Sequence, residues 1–284
     1  MKWYKKYSEI FENNIVDLPL NLENTINKSI IDLQSENPLA SVIIIGHNEE
    51  SRILSCLWSV SNSKCSYPIE IICVDNSSTD KTFELMKGSG ARTFSEPNKG
   101  PGFARNRGLS EAKGKYIICM DGDTIYPPHY IEIMIKTLQK PGIIAAFSLW
   151  SYIPDKNFPS WKMFIYEFLR DFNLRLLAVK RPERCVRGMV FAHHKEQAVT
   201  IGYRTNIIRG EDGSMAFSLK DYGKLAFVHN RKARPYTSTG TLRKDSSFSG
   251  ALFSRICSAV KGYRRYFFKK RASDFVDEDT NLIK

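Results

Sequence analysis

The chain has 284 residues, of which 42% are apolar and 25% charged, and a formal net charge of +12. That apolar share can build one large core or two closely joined halves, which excludes a disordered chain. The longest apolar run, IIAAFSLW at 143–150, falls far short of the ~18–20 residues a membrane-spanning helix needs.

The N-terminal stretch MKWYKKYSEIFENN mixes charges among its apolar residues and lacks the uninterrupted apolar centre of a signal peptide. A cytosolic protein is therefore expected. Six cysteines, Cys56, Cys65, Cys73, Cys119, Cys185 and Cys257, are scattered without a C-x-x-C pair. They read as reduced structural thiols rather than disulfides or a zinc site. The charge is uneven: residues 224–271 hold thirteen Lys or Arg and one acid, Asp245, and so account for the whole net charge. A patch of that kind suits an anionic membrane surface or nucleic acid, and charge alone does not choose between them.

Residues 1–38 read as an N-terminal extension or short helical preface ending at Asn37-Pro38. From there apolar runs alternate with amphipathic segments. SVIII at 41–45 is a β-branched strand and EESRILSCLWSV at 49–60 a helix; IEIICV at 69–74 is the next strand and TDKTFELMK at 79–87 a helix. ARTFSE at 91–96 is a short strand, GPGFARNRGLSEAKG at 100–114 a glycine-bounded helix, and KYIICM at 115–120 a strand apolar on both faces. Strand–helix repetition at this interval predicts an α/β fold with a mostly parallel sheet and crossover helices on both faces. Residues 39–149 are taken as the half that binds a ligand beyond the carboxyl ends of the strands, and 150–248 as a second, less regular half.

Three polar clusters stand at three such ends: GHNEE at 46–50, DNSSTD at 75–80 and DGD at 121–123. Two carboxylates one residue apart repel one another, so Asp121 and Asp123 need either full hydration, as in an ordinary turn, or a cation between them. If the strands are neighbours, the three clusters converge on one crevice, and that moves the D-G-D from a turn toward a site.

In the second half, the segment 158–179 carries Trp161, Phe164, Ile165, Phe168, Leu169, Phe172 and Leu176 on one helical stripe, and core packing is expected of it. His193 and His194 follow an apolar run and lack a metal-ligand partner at fixed spacing; an exposed or acceptor-side position is expected. Glu211 and Asp212 open an apolar-periodic helix, where paired acids also suit the helix dipole. Residues 249–271 alternate apolar and basic residues in the pattern of a helix on an anionic membrane, or equally of a docking helix with a solvated basic face; an acidic tail completes 249–284.

The stretches SVIIIGHNEE, EIICVDNSSTDKT, NKGPGFARNRGLSEAKGKYIICMDGDT and GEDGSMAFSLKDYG, in that order over about residues 40–225, resemble the family 2 glycosyltransferases. These are inverting enzymes with the Rossmann-like nucleotide-sugar-binding fold called GT-A. The resemblance implies a single-sugar transfer from a UDP- or GDP-linked donor to a glycan or lipid-linked acceptor. It also implies Mg²⁺ or Mn²⁺ held by Asp121 and Asp123 against the donor diphosphate. Donor contacts are implied for Asn48, Glu49, Asp75, Asn76, Gly100, Arg105, Asn106, Asp121 and Gly122, with Asp75 reading the base. The family commonly has V-D-D-G-S where this chain has V-D-N-S-S, and the departure at Asn76 leaves the nucleotide open.

Asp212 is implied as the general base and Glu211 as an acceptor-orienting neighbour. Hard carboxylate oxygens suit such cations, and a carboxylate across the sugar from the leaving group suits direct displacement. The Q-x-x-R-W of processive synthases and the G-x-G-T-R of sugar nucleotidyltransferases are both missing. A noncatalytic basic module on a membrane or on nucleic acid is the competing reading, although no RNA-binding motif accompanies the basic segment and no nucleic-acid partner is expected. A lipid-linked acceptor would suit a peripheral place on the cytoplasmic membrane face through 249–271.

Overall fold

A computed structural model describes residues 3–12, 21–156, 158–207 and 209–240. The segment 249–271 expected to meet a membrane lies outside the described residues. Four segments form parallel strands: β1 (Ala40–Gly46), β2 (Ile69–Asp75), β3 (Arg92–Ser95) and β4 (Tyr116–Asp121), in the spatial order β3-β2-β1-β4. Every residue of β2 is buried, because helices cover both sheet faces and neither side of the pleat meets water.

The alternation of side chains divides the core into two layers. Val42, Ile44, Ile71, Ile118 and Met120 pack with α2 (Leu22–Leu33), α3 (Ile53–Ser61), α4 (Thr82–Gly88) and α6 (Tyr130–Leu138). Their neighbours Ile43, Ile72, Val74, Ile117 and Cys119 pack with α5 (Pro101–Glu111), α7 (Ser160–Lys180), α8 (Lys195–Ile201) and α9 (Glu211–Leu219). A short helix, α1 (Lys5–Ser8), puts Tyr7 against Trp58 with ring centroids 5.1 Å apart. Gly108 lets α5 approach the sheet, since a Cβ there would lie 2.3 Å from Ile43 Cγ2.

Beyond β4 the sheet changes sense. β8 (Phe191–His194) runs antiparallel between β4 and β6 (Ile143–Ser148), and β9 (Lys224–Val228) closes the edge parallel to β6. A second, three-stranded sheet joins β5 (Thr124–Ile125), β10 (Tyr236–Thr237) and β7 (Ser151–Tyr152) in the order β5-β10-β7. Among the described residues, no helix is long and apolar enough to cross a membrane. Cys56, Cys73, Cys119 and Cys185 are buried free thiols and Cys65 a half-buried one.

Two expectations are corrected. The stripe of α7 is not core: Trp161, Phe164, Phe168 and Phe172 are all 60% or more exposed, and Ile165, Leu169 and Leu176 also face outward. Periodicity reveals a stripe but not which side meets the core, and here the inward face is partly polar. Met163, Tyr166 and Leu174 pack inward, while Glu167 accepts from Tyr152 N at 2.7 Å and Asp171 pairs with Arg234 at 2.6 Å. The second correction is His193, which is fully buried rather than exposed. Its strand is inserted in the middle of the sheet, and its Nε2 lies 2.8 Å from the Tyr203 hydroxyl. Burial pushes the imidazole down to about 4, so it stays neutral at physiological pH.

Candidate active site

Parallel pairing brings the strand ends level, with Gly46 opposite Asp75 and Ile45 opposite Asp121. The loops that follow β1, β2 and β4 therefore share one edge of the sheet, the edge where open α/β sheets bind ligands. A cleft of about 330 Å³ opens there, lined by Asn76, Gly100, Arg105, Asp121 and Asp123 and by Glu211 and Asp212 of the first turn of α9. Glu49 and Gly122 also line it, as do His47 and Lys99, which sequence reasoning missed. Both lie inside motifs that were read, but only the chain path shows their direction.

Three expected donor contacts lie outside the cleft lining. Asn48, at φ 55°, ties the first loop to the second by accepting from Thr79 N at 2.8 Å. Asn106 does not reach the cleft: its amide accepts from Tyr203 N at 2.7 Å and donates to Tyr203 O at 2.8 Å, fastening α5 to the loop after α8. Asp75 is buried at the end of β2, where its Oδ2 accepts from Ser78 N at 3.2 Å. Its Oδ1 is buried with no partner, an unsatisfied acceptor.

Asn76, where the family commonly carries a second aspartate, holds the loop before α5 in place. Its Oδ1 accepts from Gly100 N at 2.8 Å, its Nδ2 donates to Asn98 O at 2.7 Å, and its carbonyl oxygen lies 2.7 Å from His47 Nδ1. Gly100 immediately precedes α5, whose first-turn N–H groups stand at the positive end of the helix dipole.

Arg105 is 1% exposed and sits between two carboxylates. It donates to Met120 O at 3.0 Å and to Asp121 Oδ1, and its Nε lies 3.6 Å from Asp212 Oδ1. That last separation is too long for a hydrogen bond, and both atoms lack another partner. Gly188 makes the arrangement possible, because a Cβ there would lie 2.3 Å from Arg105 Nη2 and 2.6 Å from Asp212 Oδ2. Asp123 is held from the small second sheet: its Oδ1 accepts from Thr124 at 3.0 Å and its Oδ2 from Ser238 at 2.7 Å.

The site holds more carboxylates than it can comfortably ionise. Burial raises the Glu49 carboxyl to about 8, with Asp123 and Asp121 adding to the rise and Arg52 opposing it. The Arg52 Nε lies 2.8 Å from Glu49 Oε2 without the alignment of a hydrogen bond. Burial also raises Asp121 to about 6, with Arg105 opposing and Asp123 and Asp212 adding. Asp212 is pushed up by burial and by Glu211, against the pull of Arg105. A divalent cation would relieve this repulsion, and hard carboxylate oxygens are its preferred ligands.

The residues present fit such an ion, with Asp121 and Asp123 as holders. Among the described residues there is no group of three or more His, Cys, Asp or Glu placed to hold a metal. The rest of the shell would therefore come from substrate oxygens and water, which is how Mg²⁺ sites on phosphates are ordinarily completed.

Comparison with known proteins agrees with this fold. Mannosyltransferase PcManGT from Pyrobaculum calidifontis, solved with GDP-Man and Mn²⁺, superposes with a TM-score of 0.54 at 17% identity, over 82% of this chain and 63% of that one. Glucosyl-3-phosphoglycerate synthase from Mycobacterium tuberculosis, solved with Mn²⁺, UDP-glucose and glycerol 3-phosphate, gives 0.53 at 20% identity, over 82% of each chain. At these identities the likeness concerns the fold, a mostly parallel GT-A sheet with helices.

An uncharacterized glycosyltransferase of Haemophilus influenzae is 38% identical over 125 residues, covering 40% of this chain and 48% of that protein. Glycosyltransferase GlyG of Streptococcus pneumoniae is 31% identical over 151 residues, covering 50% and 48%. The matched part is only 22% of a longer uncharacterized glycosyltransferase of Rickettsia felis, so the chain spans less than half the length of these curated relatives. The model of the family described as "Glycosyl transferase family 2" matches residues 41–198, from β1 through the first turn of α8, and the chain belongs to that family.

Proposed function

We propose that the chain transfers one sugar from a nucleotide-sugar donor to an acceptor hydroxyl, with inversion at the anomeric carbon and in dependence on a divalent cation. One observation carries the reading: a raised carboxyl, Asp212, lines the same cleft as the Asp121–Asp123 pair and the start of α5. The solved neighbours named above bind GDP-Man or UDP-glucose with Mn²⁺. A UDP- or GDP-linked donor is accordingly the class to test here.

In this reading Asp75 accepts an N–H from the base through its unpartnered Oδ1. The N–H groups at the start of α5, with Lys99 beside them, bind diphosphate oxygens. A Mg²⁺ or Mn²⁺ ion held by Asp121 and Asp123 supplies, when bound, stabilisation of the charge that grows on the leaving diphosphate. Asp212 takes the proton of the acceptor hydroxyl as its oxygen bonds to the anomeric carbon. The bond from that carbon to the diphosphate breaks on the opposite face, and the nucleoside diphosphate departs with the electron pair. The buried Arg105 orients both Asp121 and Asp212. Glu211, at the mouth of the same helix, faces the acceptor.

The acceptor is a glycan or lipid-linked hydroxyl in this proposal. A screen of nucleotide sugars with Mn²⁺, reading released nucleoside diphosphate, tests it. Asp212→Asn should keep the thermal shift given by UDP or GDP with Mn²⁺ while transfer falls by roughly 10²–10⁴-fold. Transfer at full rate would remove the base assignment.

A further inference from the structure

The outward stripe of α7 is not absorbed by the active site. From Trp161 to Val179 it presents one apolar face over five turns, about 27 Å at the usual helical rise. Trp161 is 63%, Phe164 71%, Phe168 65%, Phe172 60% and Val179 80% exposed. Contiguous apolar surface of this length on a protein marks a contact face. Its content of one tryptophan and three phenylalanines is that of helices lying in the headgroup region of a bilayer, where aromatic rings are favoured.

Charge selects the occupant. The two acids of α7, Glu167 and Asp171, both turn inward, where Arg234 pairs with them at 2.9 and 2.6 Å. Arg175, Lys180 and Arg184 are exposed along and just beyond the helix. The described chain also leads out beside this helix: Thr239 donates to Asp155 Oδ2 at 2.5 Å, and Asp155 Oδ1 accepts from Phe158 N just before α7 begins. The residues that follow, 241–271, carry nine Lys or Arg and one acid. Two copies of this chain packed through α7 would bring the basic flank of Arg175, Lys180 and Arg184 to the contact from both sides with no outward acid of α7 to meet it, whereas an anionic surface would complement it.

We propose that the outer face of α7 seats the protein on an anionic lipid bilayer, its aromatic stripe entering the headgroup region and its basic flank meeting lipid phosphates. The contact is made by the folded domain itself and is distinct from the membrane role considered for 249–271. The inner face of the same helix holds Arg234, and the strand two residues on leads to Ser238, which grips Asp123. The docking face therefore stands one short strand away from the proposed donor site. This inference goes beyond the catalytic reading and does not depend on it.

Co-sedimentation of the full chain with phosphatidylcholine vesicles, with and without phosphatidylglycerol, tests it. Binding should require phosphatidylglycerol. The pair Phe164→Glu and Phe168→Glu should weaken it by at least about tenfold, given the apolar area two phenylalanines would otherwise bury. Phe164→Leu with Phe168→Leu should restore binding, and Val199→Glu, an exposed position on α8, should leave it intact. Circular dichroism and the thermal shift given by UDP or GDP with Mn²⁺ should be the same for all of them, which separates loss of docking from loss of the catalytic site. If the glutamate pair fails to fold, Phe168→Ser alone makes the same test. Unchanged sedimentation of the glutamate pair would overturn the proposal. So would equal binding to phosphatidylcholine alone, or a solution dimer that the glutamate pair dissociates while vesicles bind neither form.

Discussion

Replacing Gly188 with alanine adds a single methyl group where Arg105 and Asp212 meet. That Cβ would lie 2.3 Å from Arg105 Nη2 and 2.6 Å from Asp212 Oδ2. Reaching an ordinary contact requires one side chain or the other to move by roughly 1 Å. Arg105 cannot swing into water, because it is fully buried and its guanidinium is already bonded to Met120 O and Asp121. The displacement therefore falls on Asp212 or on the short 3₁₀ turn that carries Gly188. Overpacking of this size costs about 1–3 kcal/mol, and each kcal/mol lowers Tm by roughly 2–4 °C in a domain of a few hundred residues. Catalysis should suffer more than stability, since a misplacement of about 1 Å can cost on the order of 10²-fold in rate. A melting curve and a transfer assay, run side by side on Gly188→Ala, check both figures. Wild-type transfer in a protein with an unchanged melting temperature would refute the claim that Arg105 and Asp212 are held in tight register.

Two further outcomes follow from the same geometry. Ser238→Ala removes the hydroxyl bonded to Asp123 Oδ2 at 2.7 Å; the Mn²⁺ concentration needed for half-maximal transfer should rise by about 10–100-fold, while an unchanged requirement would show that the hydroxyl does not position the carboxylate. In metal-free protein Glu49 and Asp121 titrate in the folded state near 8 and 6, above their ordinary 4.5 and 3.8. The folded state then holds protons that the unfolded chain releases, so the stability these two groups contribute is fully present in acid and is lost as pH rises through about 6 for Asp121 and about 8 for Glu49. Melting temperatures followed across that window should fall less for Glu49→Gln than for the wild type, and a parallel fall would contradict the assignment.

The first half of the chain was readable because its strands lie in the middle of a sheet covered on both faces. Runs such as IEIICV have no other place to go, and the polar clusters that follow them are brought level by parallel pairing. The second half resisted for physical reasons. FAHH carries two histidines yet becomes a central antiparallel strand, because Tyr203 supplies a buried partner for His193 that no local pattern announces. The stripe of α7 was visible, but the inward pull of Arg234 on Glu167 and Asp171 comes from 63 to 67 residues away. The hold on Asp123 by Ser238 spans 115 residues and involves a serine with no motif around it. Among the donor contacts implied by resemblance, Asn106 shows the limit of carrying a motif over by register: its amide is spent on the backbone of Tyr203.

The central claim is that Asp121 and Asp123 bind a divalent cation together with a nucleoside diphosphate. Calorimetric titration of UDP and of GDP into the protein, with Mn²⁺ and then with a chelator, tests it most directly. Binding of at least one nucleotide that appears with Mn²⁺ and disappears both with the chelator and in Asp123→Ala is the predicted result. Equal affinity with and without metal, or no binding of either nucleotide at any metal concentration, would contradict it.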